Sequence, residues 1–274
     1  MIYLLDTKTK ATGGVTRDDL AILAEAVTYG AGHIDKDWGR ISNEKARVLS
    51  NSAADHDAIA SGNAVLATIV DELIDPSTGK VATDALAWHY IDDQNIRHID
   101  VGWQVIQSVG GGKFVGTTAD TYYVSLSLAL GHEVEEDDGD PFTNGWSLRG
   151  DYKTLVAQEV CDPVEGLGYI VTTKNGTKCA LPNYVLPGWF DPYAPPGTRL
   201  DRLGECTHPL EITPGGYLVK MTTSGQESQE DMRQGPLVAE IEWGEKVPEW
   251  KKRLRRPRIE KRLERAKALL GKRG

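Results

Sequence analysis

Apolar residues recur at helical spacing soon after the N-terminus. Leu20, Leu23, Ala24 and Val27 share one face behind an N-cap in Thr16-Arg17-Asp18-Asp19, which predicts a helix over about 17–29. Gly30, Gly32, Asp37 and Gly39 interrupt the pattern, and the polar, alanine-containing stretch 43–62 predicts either another helix or an insertion. Three β-like runs follow at 64–74, 85–91 and 98–109, separated by Asp75-Pro76-Ser77-Thr78-Gly79 and Asp92-Asp93-Gln94-Asn95. They predict a small sheet laid down before the longest helical pattern of the chain, 118–139.

In that helix Leu126, Leu130 and Val134 form an apolar row at spacing four. Val134 is two residues, about 200° of helix, from His132 and Glu136, so the polar column faces away from the row and one side packs while the other lines a cleft. Asp140-Pro141 stops the helix, because a residue before proline is pushed out of the helical region. A shorter helix is predicted over 152–161, ended by Asp162-Pro163, and then a hairpin with strands 168–173 and 177–181 around Asn175-Gly176. The stretch 182–247 is rich in proline, glycine and aromatics and predicts loops and short strands packed on the sheet. Trp189, Phe190 and Trp243 read there as core or interface anchors. Val247-Pro248 marks the change to a tail, 248–274, with a helix from about 258 to 270 after Pro257.

Charge sharpens this division. Residues 251–274 hold twelve Lys or Arg against Glu260 and Glu264, a net +10 that leaves −19 on the first 250 residues of a chain whose total is −9. The body then stays soluble and avoids nucleic acid, while the tail either contacts a polyanion or acidic protein or folds back on its own acidic body. MIYLLDTKTK has a short apolar run with no basic region before it, and no eighteen uncharged apolar residues occur in a row, so neither secretion nor a membrane span is expected. Cys161, Cys179 and Cys206 form no C-x-x-C pair and read as reduced and mostly buried.

The chemistry concentrates in His132-Glu133-Val134-Glu135-Glu136, an H-E-x-x-E sequence one residue away from the helical zinc-hydrolase signature. On a helix, His132, Glu136 and Asp140 stack in one column with Glu133 beside it. A zincin-type site needs two ligands one turn apart, a third from a later segment and a carboxylate next to the metal-bound water. His132 and Glu136 fill the first role, Glu159 is the expected third ligand, and Glu133 is the candidate general base. Asp162 or Asp140 would orient His132 from the second shell of contacts, and His89, on a strand just before the motif helix, is a candidate for the pocket edge. The opposing reading is a solvated or salt-bridged acidic helix face. His33, His56, His98 and His208 lack metal spacing and read as structural or surface histidines, and Gly110-Gly111-Gly112 reads as a turn.

Several motifs in order carry a family resemblance: Ser127-Leu128-Ala129-Leu130-Gly131-His132-Glu133-Val134-Glu135-Glu136, Asp140-Pro141, and Glu159-Val160-Cys161-Asp162-Pro163-Val164-Glu165. Asn183-Tyr184-Val185-Leu186-Pro187-Gly188-Trp189-Phe190, 209–217 and Ala87-Trp88-His89-Tyr90 extend it. Over about 17–220 the chain resembles a family of zincin-like proteins common in tailed phages and prophages. The resemblance implies an α+β, zincin-like metallopeptidase core, made of a small mixed sheet, the motif helix and a second helix. A loop-rich β part would follow within a domain over 1–247, with the basic helical tail, 248–274, outside the likeness. Asp137, Asp138 and Gly139 stand where the relatives tend to be apolar, which predicts a last helical turn that frays or opens to solvent.

The ligand set bears on reactivity. Two carboxylates, Glu136 and Glu159, nearly neutralise Zn²⁺, so it acidifies water and polarises carbonyls less, and Ca²⁺, Mg²⁺ or Mn²⁺ become alternative occupants. The leading expectation is a phage virion or virion-assembly protein, made in the host bacterial cytoplasm and built into a larger assembly. Its site would be structural or weakly active. The tail, Lys251 to Arg273, would dock on capsid, neck or tail proteins or on packaged DNA. The alternatives are an active zinc metallopeptidase of particle maturation or host entry, and a nucleic-acid-binding accessory protein in which only the tail functions.

Overall fold

The computed structural model describes residues 1–10, 13–40, 45–74, 79–82, 85–92, 94–118, 122–141 and 145–231. The boundary at 247–248, Trp243, the basic tail with its helix, and much of the 75–79 turn lie outside these residues.

The first layer is a five-stranded mixed sheet. β1 (Ile2–Thr7) leads into α1 (Arg17–Asp37), which returns the chain to β2 (Lys45–Val48). α2 (Ala53–Ala60) connects to β3 (Ala64–Val70), and β4 (Ala87–Ile91) and β5 (Arg97–Gly102) complete the sheet in the order β2-β1-β3-β5-β4. Four strands are parallel, and only β4, at one edge, runs antiparallel to its neighbour. Tyr3, Leu4 and Leu5 are all buried, as expected for an inner parallel strand covered on both faces.

α1 starts where the sequence predicts, with a reciprocal cap in which Asp19 N donates to Thr16 Oγ1 and Thr16 N to Asp19 Oδ2. It runs eight residues past the expected end at 29. Gly30 does not break it, because the glycine sits where α1 crowds the motif helix: a Cβ there would lie 2.8 Å from Glu135 Oε1. The helix ends instead at Trp38, before Gly39 at φ +66°. The stretch expected as helix or insertion over 43–62 holds both β2 and α2.

The third apolar run is only half strand. After β5 the chain turns into α3 (Trp103–Ser108), since a short apolar run suits a buried helix as well as a strand. α4 (Leu126–Gly139) carries the H-E-x-x-E motif. It begins later than 118, at the Ser125 cap, whose hydroxyl accepts from Leu128 N, and Asp140 before Pro141 ends it. Leu126, Leu130 and Val134 pack on the sheet against Tyr3, Ile69 and Ile99. At Gly131 a Cβ would lie 2.9 Å from the Pro182 ring, so that glycine admits a neighbouring strand.

Past α4 the expected helix over 152–161 is absent. β6 (Trp146–Leu148) and β7 (Thr154–Ala157) are strands, and a 3₁₀ turn at Asp162–Val164 carries Pro163 in its first turn. Thr154, Leu155 and Val156 favour the extended state, and β7 pairs on both sides. β8 (Gly168–Thr172) and β9 (Lys178–Pro182) form the predicted hairpin, with Gly176 at φ +86°. β10 (Tyr217–Thr222) and β11 (Glu227–Asp231) join β6 and β7 in a four-stranded antiparallel sheet, order β11-β10-β7-β6. A second core forms there around Trp189, Tyr184, Val160, Cys161 and Val164. The three cysteines are free and buried, as expected. Among the described residues no helix is long and apolar enough to cross a membrane.

Acid unfolding reports on the outer edge of the sheet. Asp55 is buried and its carboxyl is held below the usual range, first by Arg47 and then by the Ser50 hydroxyl and amide. A lowered native pKa gives stability that is full above the unfolded value of about 3.9 and is lost as pH falls through the native value. Asp55→Asn should therefore flatten the acid limb of the unfolding free energy below about pH 4 in urea titrations. An acid limb unchanged from wild type would contradict this.

Candidate metal centre

α4 carries five acids within six residues, and every one is buried: Glu133, Glu135, Glu136, Asp137 and Asp138. Both sides of the helix are covered, so it is neither a solvated acidic face nor one wall of an open cleft. Successive residues step about 100° around a helix, so neighbouring carboxylates must find different partners. Glu135 Oε2 accepts from Cys161 Sγ at 3.6 Å, and burial pushes the Glu135 pKa well above the carboxylate range. Asp137 accepts from Tyr3 Oη at 3.0 Å and pairs with Arg97 Nη1 at 3.2 Å. Asp138 meets Arg40 Nη1 at 3.3 Å, and Arg40 also caps the Gly139 carbonyl. The last turn is therefore tied down by two arginines, where the sequence suggested fraying or solvent exposure.

Glu133 and Glu136 face histidines instead. His132 Nε2 lies 3.1 Å from Glu136 Oε1 and 3.4 Å from Asp162 Oδ1. His89 Nδ1, reaching in from the edge strand β4, lies 2.7 Å from Glu133 Oε2 and 3.7 Å from Glu136 Oε2. His89 Nε2 lies 4.0 Å from Glu159 Oε2. In two triads, His132–Glu136–Asp162 and His89–Glu136–Glu159, one donor atom from each residue falls within 4.8 Å of the others. The six side chains keep between 3% and 12% exposure, which closes the cluster to all but small species.

Three elements deliver these groups. α4 supplies His132, Glu133 and Glu136 from adjacent turns. β4 supplies His89 at the position paired with Ile99 of β5. The strap after β7 supplies Glu159 and Asp162: Val160, Cys161 and Val164 bury into the second core, and Val185 N donates to Val160 O at 2.8 Å. With the apolar residues of the strap anchored, its acids reach α4.

The structure thus brings His132, Glu136, Glu159 and Asp162 together, with Glu133 hydrogen-bonded to His89. Asp162, expected to orient His132, and His89, expected at the pocket edge, each belong to one of the two triads. Asp140 closes the helix end and accepts from Gly145 N at 2.6 Å. His33 meets Tyr169, His98 pairs with Asp92, and His208 lies beside Glu211.

The electrostatics favour a cation. Burial alone would lower the His132 pKa, but Glu136 and Asp162 outweigh it and raise the value well above the ordinary one. Burial first, and then the Asp162 charge, push Glu136 up to about 8. An ionised carboxylate sealed from water costs several kcal/mol unless compensated. Glu136 Oε1 is buried, and among the described residues its contact is the ion pair with His132 Nε2 at 3.1 Å. Donor atoms this close together are what the ligands of an ion share. Imidazole with carboxylate suits zinc, manganese or iron. His132, Glu136 and the strap carboxylates could therefore hold a metal ion.

The arginine contacts give a separate prediction. Arg97 and Asp137 are both buried, so Arg97→Ala strands a charge and should destabilise the fold by about 3–5 kcal/mol in urea unfolding. Adding Asp137→Asn should recover part of that loss, and a loss unchanged in the double variant would contradict the assignment. Comparison of the chain with family models, curated proteins and solved structures returned no match.

Proposed function

We propose that the protein is a zincin-like virion or virion-assembly component whose H-E-x-x-E helix holds a structural divalent metal. The observation that carries the metal reading is the near-complete burial of His132, Glu136 and Asp162 in mutual contact. Such a set suits a permanent ion better than one that must meet a peptide. Glu133 supports the structural role: its Oε2 is engaged by His89 Nδ1 at 2.7 Å, so the group expected to activate water instead orients a neighbour. The antiparallel edge strand β4 beside α4 supports the zincin-like core, since the resemblance implies a strand at the cleft edge in that place. The particle setting rests on the motif series in 17–220. Docking on an acidic partner, either virion proteins or packaged DNA, rests on the +10 charge of 251–274.

Purified full-length protein should retain a divalent transition metal through gel filtration, and Glu136→Ala should lose it. An ion present at about 1,000 times its dissociation constant stabilises by about 4 kcal/mol, so chelation should lower the melting temperature by roughly 10 °C. Metal-free protein that melts unchanged after chelation would refute the reading. Peptide cleavage by wild type that disappears in Glu133→Gln would replace the structural site with a working peptidase.

A further inference from the structure

Glu136 stands between two triads, not inside one. Its Oε1 lies on the His132 side, 3.1 Å from Nε2, with Asp162 beyond. Its Oε2 lies on the His89 side, 3.7 Å from Nδ1, while the other ring nitrogen, Nε2, lies 4.0 Å from Glu159 Oε2. Each triad has its own histidine and its own strap carboxylate, and in each the donor atoms lie within 4.8 Å of one another. They share only Glu136.

A single ion leaves this arrangement unexplained. Glu133, Glu136, Glu159 and Asp162 place four carboxylates among two imidazoles, all nearly sealed from solvent. One divalent ion neutralises half of that formal charge, and two neutralise it all. Glu136 Oε1 is a further sign of a ligand, being buried with no hydrogen-bond partner among the described residues beyond its ion-pair contact with His132 Nε2 at 3.1 Å. Glu133 adds a further element: a carboxylate can only accept, so its contact with His89 Nδ1 places the proton there and turns Nε2 toward Glu159. Outer carboxylates orient metal-binding histidines in this way.

We infer that the cluster is a dinuclear centre for first-row divalent transition ions, one ion at His132 and Asp162 and the other at His89 and Glu159, bridged by the two oxygens of Glu136. Glu133 is then the positioning residue of His89. The inference rests on the metal-binding reading above and extends it from one ion to two.

The test uses full-length protein stripped with a chelator and titrated separately with Mn²⁺ and Zn²⁺. Equilibrium dialysis should give about two equivalents of either ion per chain, and the Mn²⁺ form should show the electron paramagnetic resonance spectrum of exchange-coupled ions. His89→Ala should lower the count to about one and restore the spectrum of an isolated ion, and Glu159→Gln should do the same if the His89 variant does not fold. One equivalent in wild type overturns the dinuclear centre and leaves the single-ion reading standing. Two equivalents without exchange coupling overturn the Glu136 bridge. A coupled spectrum that survives both variants overturns the His89–Glu159 assignment, and no bound metal overturns both readings.

Discussion

The structure depends on the need to compensate carboxylates that α4 carries into a dry interior. Glu133, Glu135, Glu136, Asp137 and Asp138 are all buried, and ions in such surroundings are tolerated only when paired and hydrogen-bonded. The helix geometry distributes the problem. Arg97 and Arg40 answer the two aspartates, Cys161 meets Glu135, and the histidine-lined face receives Glu133 and Glu136. The first three are local solutions within the protein. The last gathers more carboxylates than histidines and is where an external cation is proposed.

The two layers of the fold converge on that face. The mixed sheet brings its one antiparallel strand, β4, to the edge beside α4, so His89 enters from the sheet. The second core anchors Val160, Cys161 and Val164, so Glu159 and Asp162 enter from the opposite direction. Chelation of one ion by residues of both layers would link them far more directly than apolar packing alone, which gives a buried metal a structural use without any reaction.

Legibility in the sequence followed the range of the interaction. His132 and Glu136 were readable because spacing four on a helix is local, and the Asn175-Gly176 hairpin was readable for the same reason. Glu159 and Asp162 read as partners, but on a helix that the structure replaces with a strand and a 3₁₀ turn, in keeping with the β propensity of Thr154 to Val156. The run 98–109 reads as one strand but becomes β5 and then α3, because its apolar residues suit a strand and a buried helix alike. Nothing local could assign Arg97 to Asp137, 40 residues away, or Arg40 to Asp138, 98 residues away. The last turn of α4 therefore looked solvent-exposed in sequence and is buried in fact. The close contact of His89 with Glu133 likewise depends on which strand becomes the sheet edge.

Crystals of the purified protein, measured above and below the absorption edge of the metal found in it, test the central claim most directly. The account predicts an anomalous difference peak at Glu136, enclosed by His132 and Asp162. Ordered cluster side chains with no anomalous scatterer, held together by water or shared protons, would contradict it.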